Sequence, residues 1–116
     1  MQSKNNKPRL IKDFERLDDE IQEQIKFYYT EGFSDHLIKF KNNNGEYVSA
    51  LPFETEDKYY LVRMSVSKAE QLISDDTDYD QDGFLKESSR EKYEDKYSDI
   101  DFSSLNDDTA TYTDED

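Results

Sequence analysis

LIKFKNNNGEYVSALPFETEDKYYLVRMSV, residues 37–66, is the one stretch of the chain with dense apolar side chains at strand spacing and turn residues between the runs. Ile38 and Phe40 alternate with Lys39 and Lys41, and Asn42-Asn43-Asn44-Gly45 then supplies residues that tolerate the positive φ of a tight hairpin. A second run covers Tyr47 to Phe53. After Glu54-Thr55-Glu56-Asp57 a third run, Tyr59 to Met64, sets Tyr60, Val62 and Met64 on one face and Tyr59, Leu61 and Arg63 on the other. The spacing predicts a three-stranded antiparallel meander. Pro52 lacks a ladder donor, so strand two ends there or turns that position away from a neighbour. Arg63, amid apolar neighbours, is expected to snorkel or to pair with a nearby carboxylate such as Glu54 or Glu56. In this register Tyr47, Leu51, Tyr59 and Leu61 share the face opposite Tyr60 and Val62, and helices on one side only would leave that face as an apolar patch fit for a second copy or a partner.

Working toward the N-terminus, Ile11, Phe14, Leu17, Ile21, Ile25 and Tyr28 fall in steps of three and four, with Gly32 where a C-terminal cap belongs. This predicts an amphipathic helix from about Leu10 to Thr30. Asp18 offers a second solution, capping a shorter helix and leaving Leu10 to Leu17 as a separate element. On the other side of the meander, Ser67 and Glu70 read as a capping box opening a short helix that buries Ala69, Leu72 and Ile73. The fold class expected is α+β: the meander covered on one face by these two helices. The domain plan is a flexible basic arm over 1–9, an α-β-β-β-α domain over 10–74, an acidic loop with a marginal charged helix over 75–97, and a disordered acidic tail over 98–116.

The charge is unevenly spread. Of the net −14, residues 1–12 carry +4, residues 13–74 carry −6 and residues 75–116 carry −12. Only 33% of the 116 residues are hydrophobic, below the usual share of about 45–50%, and high charge with low apolar content keeps a segment from collapsing. The absence of cysteine removes disulfides, thiol nucleophiles and cysteine-ligated metals. No apolar run is long enough for a bilayer span or a signal peptide, so a cytoplasmic location is expected, without membrane association. Phosphate repels so acidic a chain, which argues against direct nucleic-acid binding.

Asp78, Asp80 and Asp82 followed by Gly83 match the first half of an EF-hand calcium loop. Three carboxylates stand at alternate positions, Gly83 allows the sharp turn, Phe84 offers a backbone carbonyl and Leu85 sits at the apolar position. The pattern departs at the twelfth position, where Ser89 replaces the bidentate Glu. Asp78, Asp80, Asp82 and Phe84 are therefore the candidate metal ligands, for calcium held weakly. Ser34-Asp35-His36 contains the residue types of a hydrolase triad, but neighbours in sequence cannot converge as a triad must, and His36 is the only histidine. No catalytic residue and no required cofactor is expected.

These observations point to a small acidic non-enzymatic protein that engages a basic protein partner, of the immunity, antitoxin, DNA-mimic or accessory-subunit type. The alternative is a weak calcium-binding module built on the loop from Asp78 to Ser89. The sequence does not fix an oligomeric state.

Overall fold

A computed structural model describes residues 7–100 of the chain. Residues 1–6 of the expected basic arm and residues 101–116 of the expected acidic tail lie outside the described residues. The fold is α+β, a four-stranded mixed sheet with three helices among the described residues. In chain order these are β1 (Arg9–Asp13), α1 (Asp19–Tyr28), β2 (Ile38–Lys41), β3 (Tyr47–Glu54), β4 (Tyr59–Arg63), α2 (Val66–Asp75) and α3 (Glu87–Lys96). The sheet order is β1-β4-β3-β2.

The meander forms where the sequence predicts it. β2 pairs antiparallel with β3 from Ile38 opposite Ala50 to Lys41 opposite Tyr47, and β3 pairs antiparallel with β4 from Ala50 opposite Arg63 to Glu54 opposite Tyr59. Gly45 takes the positive φ of the first turn, at +80°, and the Asn42 Oδ1 accepts from the backbone N–H groups of Asn44 and Glu46. Thr55 holds the second turn, its Oγ1 accepting from the N–H of Asp57 and Lys58. Pro52 fits inside β3 because β2 reaches only as far as Ala50, so no strand on that side asks for the missing donor.

The three-stranded expectation needs correction. A fourth strand, β1, lies parallel to β4 at its free edge, in register from Arg9 opposite Tyr59 to Asp13 opposite Arg63. The helix predicted from Leu10 to Thr30 is therefore divided, as in the shorter solution with Asp18 at the N-cap, although the Asp18 side chain makes no capping hydrogen bond. Phe14–Arg16 form a single 3-10 turn, Leu17 and Asp18 are extended, and α1 begins at Asp19. The apolar spacing through Ile11, Phe14 and Leu17 fits a helix, but the open edge of β4 offers a ladder of hydrogen bonds that local periodicity does not register. The stripe survives in part: Phe14, Leu17 and Ile25 are buried in the core and Ile21 and Tyr28 pack beside it, whereas Ile11 faces the other side of the sheet, 47% exposed.

Facing positions share a side, so the register defines two faces. Leu51, Phe53, Tyr60 and Val62 point toward the helices and form one core with Phe14, Leu17, Ile25, Tyr29, Phe33, Met64 and Ala69. The expected grouping of Tyr47 and Leu51 with Leu61 is thus shifted by one residue: Leu51 lies opposite Val62, on the core side. The other face carries Ile11, Ile38, Phe40, Val48, Ala50, Pro52, Tyr59 and Leu61. Arg63 pairs with Asp13 rather than with Glu54 or Glu56, at 3.1 Å, and Glu54 takes Lys7 at 2.7 Å. β1 brings Asp13 to Arg63, an arrangement invisible without the fourth strand.

α2 buries Ala69 and half-buries Leu72 and Ile73, as its spacing predicts. Its cap differs: Ser65, not Ser67, holds the N-cap, and its Oγ accepts from the Lys68 N–H at 3.0 Å. The chain leaving β4 thus enters the helix two residues earlier than the Ser67–Glu70 signal implies, with Lys68 rather than an acid three residues after the cap. No described helix is long and apolar enough to cross a membrane.

Candidate functional site

The acidic stretch after α2 is built against the C-terminal end of α1. Leu85 donates its N–H to the Thr30 carbonyl at 2.8 Å, and the Tyr79 hydroxyl donates to the Tyr29 carbonyl at 3.0 Å. These bonds satisfy carbonyls that a helix end leaves open. Tyr79 and Leu85 bridge across the loop and join Tyr93 and Tyr97 of α3 in a second small core, with Phe27, Ile73 and Ile100 packed around it. Seven of the ten residues of α3 are charged, so Tyr93 and the C-cap Tyr97, one turn apart, are the apolar contacts that seat it.

At the centre of this arrangement is Lys26, in the last turn of α1, where the helix dipole favours a cation. Its ammonium lies 2.9 Å from the Asp76 carboxylate and 2.7 Å from that of Asp78, with only 12% of the side chain exposed. The same Asp78 oxygen accepts from the Tyr93 hydroxyl at 2.6 Å, and its other oxygen accepts from the Ser89 hydroxyl at 2.9 Å. The Lys26 ammonium also lies 5.7 Å from the centre of the Tyr93 ring, within cation–π reach. Burial pushes the Asp78 carboxyl up, but the hydrogen bonds from Lys26, Tyr93 and Ser89 outweigh it and hold the group at about 2. Burial alone lowers the Lys26 ammonium, and the two carboxylates reverse this and raise it. Tyr93 is pushed up to about 12, first by burial and then by its bond to Asp78.

The four residues expected to ligate calcium are placed as follows. Asp78 points inward and is held by three protein donors. Asp80 folds onto its own turn, its Oδ1 accepting from the N–H of Asp82 and of Phe84 at 2.9 and 3.0 Å. The Phe84 carbonyl accepts from the Asp80 N–H at 2.8 Å, and Gly83 supplies the turn at φ +86°. Asp82 is exposed. Among the described residues no group of three or more His, Cys, Asp or Glu side chains could hold a metal ion. Ser89, the departure from the calcium pattern, closes the loop by bonding the first position directly, and a lysine ammonium supplies the positive charge.

Two grooves flank this unit. One, about 420 Å³, runs between the α1–β2 connection, α2 and the loop, and carries Glu31, Asp35, Glu70, Asp80 and Asp82 without any base. The other, about 530 Å³, lies beside the β3–β4 turn and carries Asp18, Glu20, Glu56, Asp57 and Asp99 against Lys58 alone. Ser34, Asp35 and His36 form one 3-10 turn, and the His36 ring packs at 5.0 Å from that of Tyr29.

The residues that sequence reasoning missed are Lys26 and Glu23. Glu23 accepts from the Lys96 ammonium at 2.8 Å and from the Tyr97 hydroxyl at 2.7 Å, which ties α3 to α1. The available signal was a lone base in the last turn of α1 set before a long acidic run. Compared with protein-family models, with curated proteins and with solved structures, the chain matches none.

Proposed function

We propose that this protein is a non-enzymatic interaction module whose helix-bearing side receives a basic protein partner. The observation that carries the reading is the segregation of charge in the fold. The four strands hold five bases and two acids, whereas residues 7–100 as a whole hold fourteen bases and twenty-three acids. The sheet is therefore net positive, and the helices and loops carry all of the negative excess. Both grooves open on that side, each with five carboxylates and at most one base. A field of one sign focused by grooves accelerates encounter with a basic partner and makes binding salt-dependent. The same field repels nucleic-acid phosphate. A nuclease toxin or another nucleic-acid-binding protein, whose own basic surface is made for phosphate, has the complementary chemistry.

The calcium alternative meets a loop that is already closed. An ion at Asp78 has to displace an ammonium, a phenol and a hydroxyl before it gains a carboxylate. The partner reading is tested by affinity capture from native extract with the full chain and with Glu31→Lys/Asp35→Lys/Glu70→Lys, all three exposed residues, at low and high salt. The expected result is a basic protein recovered by the wild-type chain, lost at high salt and lost with the triple variant. Equal recovery by both chains, or recovery that resists salt, refutes the reading.

A further inference from the structure

The outer strands of the sheet, β1 and β2, have no neighbour beyond them among the described residues, and their two open edges differ. An open edge presents a row of unpaired N–H and C=O groups, and lysines along it discourage pairing with another molecule. β2 carries Lys39 and Lys41 in a run of four residues. β1 instead sets Ile11 at its centre, 47% exposed, between Arg9 and Asp13. The parallel pairing decides which of its backbone groups are free. Tyr59 donates its N–H to the Pro8 carbonyl at 2.9 Å. Backbone groups alternate sides along a strand, so Pro8, Leu10 and Lys12 face β4, while Arg9, Ile11 and Asp13 turn their N–H and C=O groups outward.

We propose that β1 pairs antiparallel with β1 of a second copy of this chain, in the register centred on Ile11. Ile11 then lies opposite the partner's Ile11, Arg9 opposite the partner's Asp13 and Asp13 opposite the partner's Arg9, and each facing pair exchanges both of its backbone hydrogen bonds. Facing side chains share a side of the sheet, so each guanidinium meets a carboxylate and the two isoleucines meet on the two-fold axis. Both charged groups have capacity for this. Arg9 has no carboxylate within salt-bridge distance among the described residues, and Arg63 bonds only Oδ1 of Asp13. Lys12 falls opposite the partner's Leu10, along which its apolar stem can lie. A slip of two residues in either direction sets Ile11 against the partner's Arg9 or the partner's Asp13, and a slip of one mismatches the outward groups, so the register is defined. The axis stands perpendicular to the sheet, which places the helices of both copies on one side of a continuous sheet. Where the partner reading also holds, the two acidic sides face the same way and engage a basic partner by avidity. Two strands of five residues run side by side for about 17 Å, a contact of the small, transient class below about 1,200 Å² of buried surface. The dimer therefore forms at high protein concentration. The net charge of −14 opposes it, and salt at about 0.5 M screens that long-range repulsion more than it screens charges in contact.

Sedimentation equilibrium of the full chain at that salt, from about 10 μM to about 1 mM, spans the range in which so small an interface dissociates. The wild type should pass from monomer to dimer. Arg9→Asp or Asp13→Arg alone sets like charge against like charge at both outer pairs and should weaken association by at least about tenfold. An equimolar mixture of these two variants restores opposite charges at both pairs and should associate within about threefold of the wild type, a recovery that neither misfolding nor non-specific aggregation gives. In the wild type, the amide signals of Arg9, Ile11 and Asp13 should move with concentration and those of Lys39 and Lys41 should stay. A wild-type chain that remains monomeric at the highest concentration overturns the proposal. So do single variants that associate as the wild type does, a mixture that stays monomeric, or amide movements centred on β2. Dimers that form only on refolding and persist on dilution are strand-exchanged and overturn it too. Neither substitution touches Glu31, Asp35 or Glu70, so failure here leaves the capture experiment standing, and the converse holds as well.

Discussion

Replacing Lys26 with methionine removes one charge from the centre of the second core while keeping most of the side chain's apolar stem. The ammonium is the sole cation within salt-bridge distance of Asp76 and Asp78 among the described residues. Deleting one partner of a buried ion pair costs about 3–5 kcal/mol, because the other charge is left without compensation. Asp76 and Asp78 keep 24% and 23% of their side-chain exposure, so water recovers part of that loss and a cost of about 2–3 kcal/mol is expected at pH 7. In urea, with a slope of about 1–1.5 kcal/mol/M for a domain of this size, the midpoint should fall by about 2 M. The pH dependence gives the sharper check. In the wild-type chain the Asp78 carboxyl is held at about 2, below its unfolded value of about 3.9. Its contribution is thus fully present above about pH 4 and disappears as pH falls toward 2. Without Lys26 the largest force holding that value down is gone, burial raises the carboxyl, and protonation then removes the uncompensated charge. The difference between wild type and Lys26→Met should therefore be greatest near neutrality and shrink below about pH 4.5. Circular dichroism of urea unfolding at pH 7 and pH 3.5 measures both quantities. A difference that is the same at the two pH values, or smaller than about 0.5 kcal/mol at pH 7, refutes the assignment of Lys26 as the cation of this loop.

Three further outcomes follow from the same geometry. Tyr93→Phe removes a hydrogen bond to a charged acceptor and should cost about 1.5–3 kcal/mol; burial and Asp78 push Tyr93 up to about 12 and Tyr79 and Tyr97 are raised as well, so ultraviolet titration should show one fewer late-ionising tyrosine in the variant than in the wild type. Ser65→Ala should lower stability by about 1 kcal/mol and Ser67→Ala should have little effect, since only Ser65 accepts from the Lys68 N–H; a larger loss at Ser67 in thermal melts contradicts the observed cap. Calcium raised to about 1 mM should leave the amide signals of residues 76–89 in place, and a saturable movement of Asp78, Asp80 and Ser89 would restore the calcium reading.

Much of the sheet was legible because its turns are local. Asn42 to Gly45 and Thr55 to Lys58 each determine a hairpin from residues a few positions apart. The face of α2 was legible for the same reason. β1 was not, since its pairing with β4 joins residues fifty positions apart and its apolar spacing also fits a helix. The loop was read from its carboxylates, but the group that decides its chemistry, Lys26, comes from a different helix. Nor could composition show that Tyr93 and Tyr97 close a second core. They are buried only because Phe27, Tyr79 and Leu85 stand opposite, and α3 by itself has almost no apolar side. Sequence reasoning thus recovered local structure and overlooked contacts made across long separations.

The parallel pairing of β1 with β4 also sets an order of assembly. The β2–β3 and β3–β4 ladders close through turns of a few residues, whereas the Arg9–Tyr59 contact closes a chain loop of about fifty. Loop-closure entropy rises with the logarithm of length, and non-local strand pairings slow folding. β1 should therefore reach the sheet after the meander has formed, leaving the Tyr-Tyr-Leu-Val edge of β4 bare in the interval. That transient edge is a template for the β1 of a neighbouring molecule. At high protein concentration during refolding, strand-exchanged dimers joined through β1 are the misassembly this topology favours, and dilution is the condition that suppresses them.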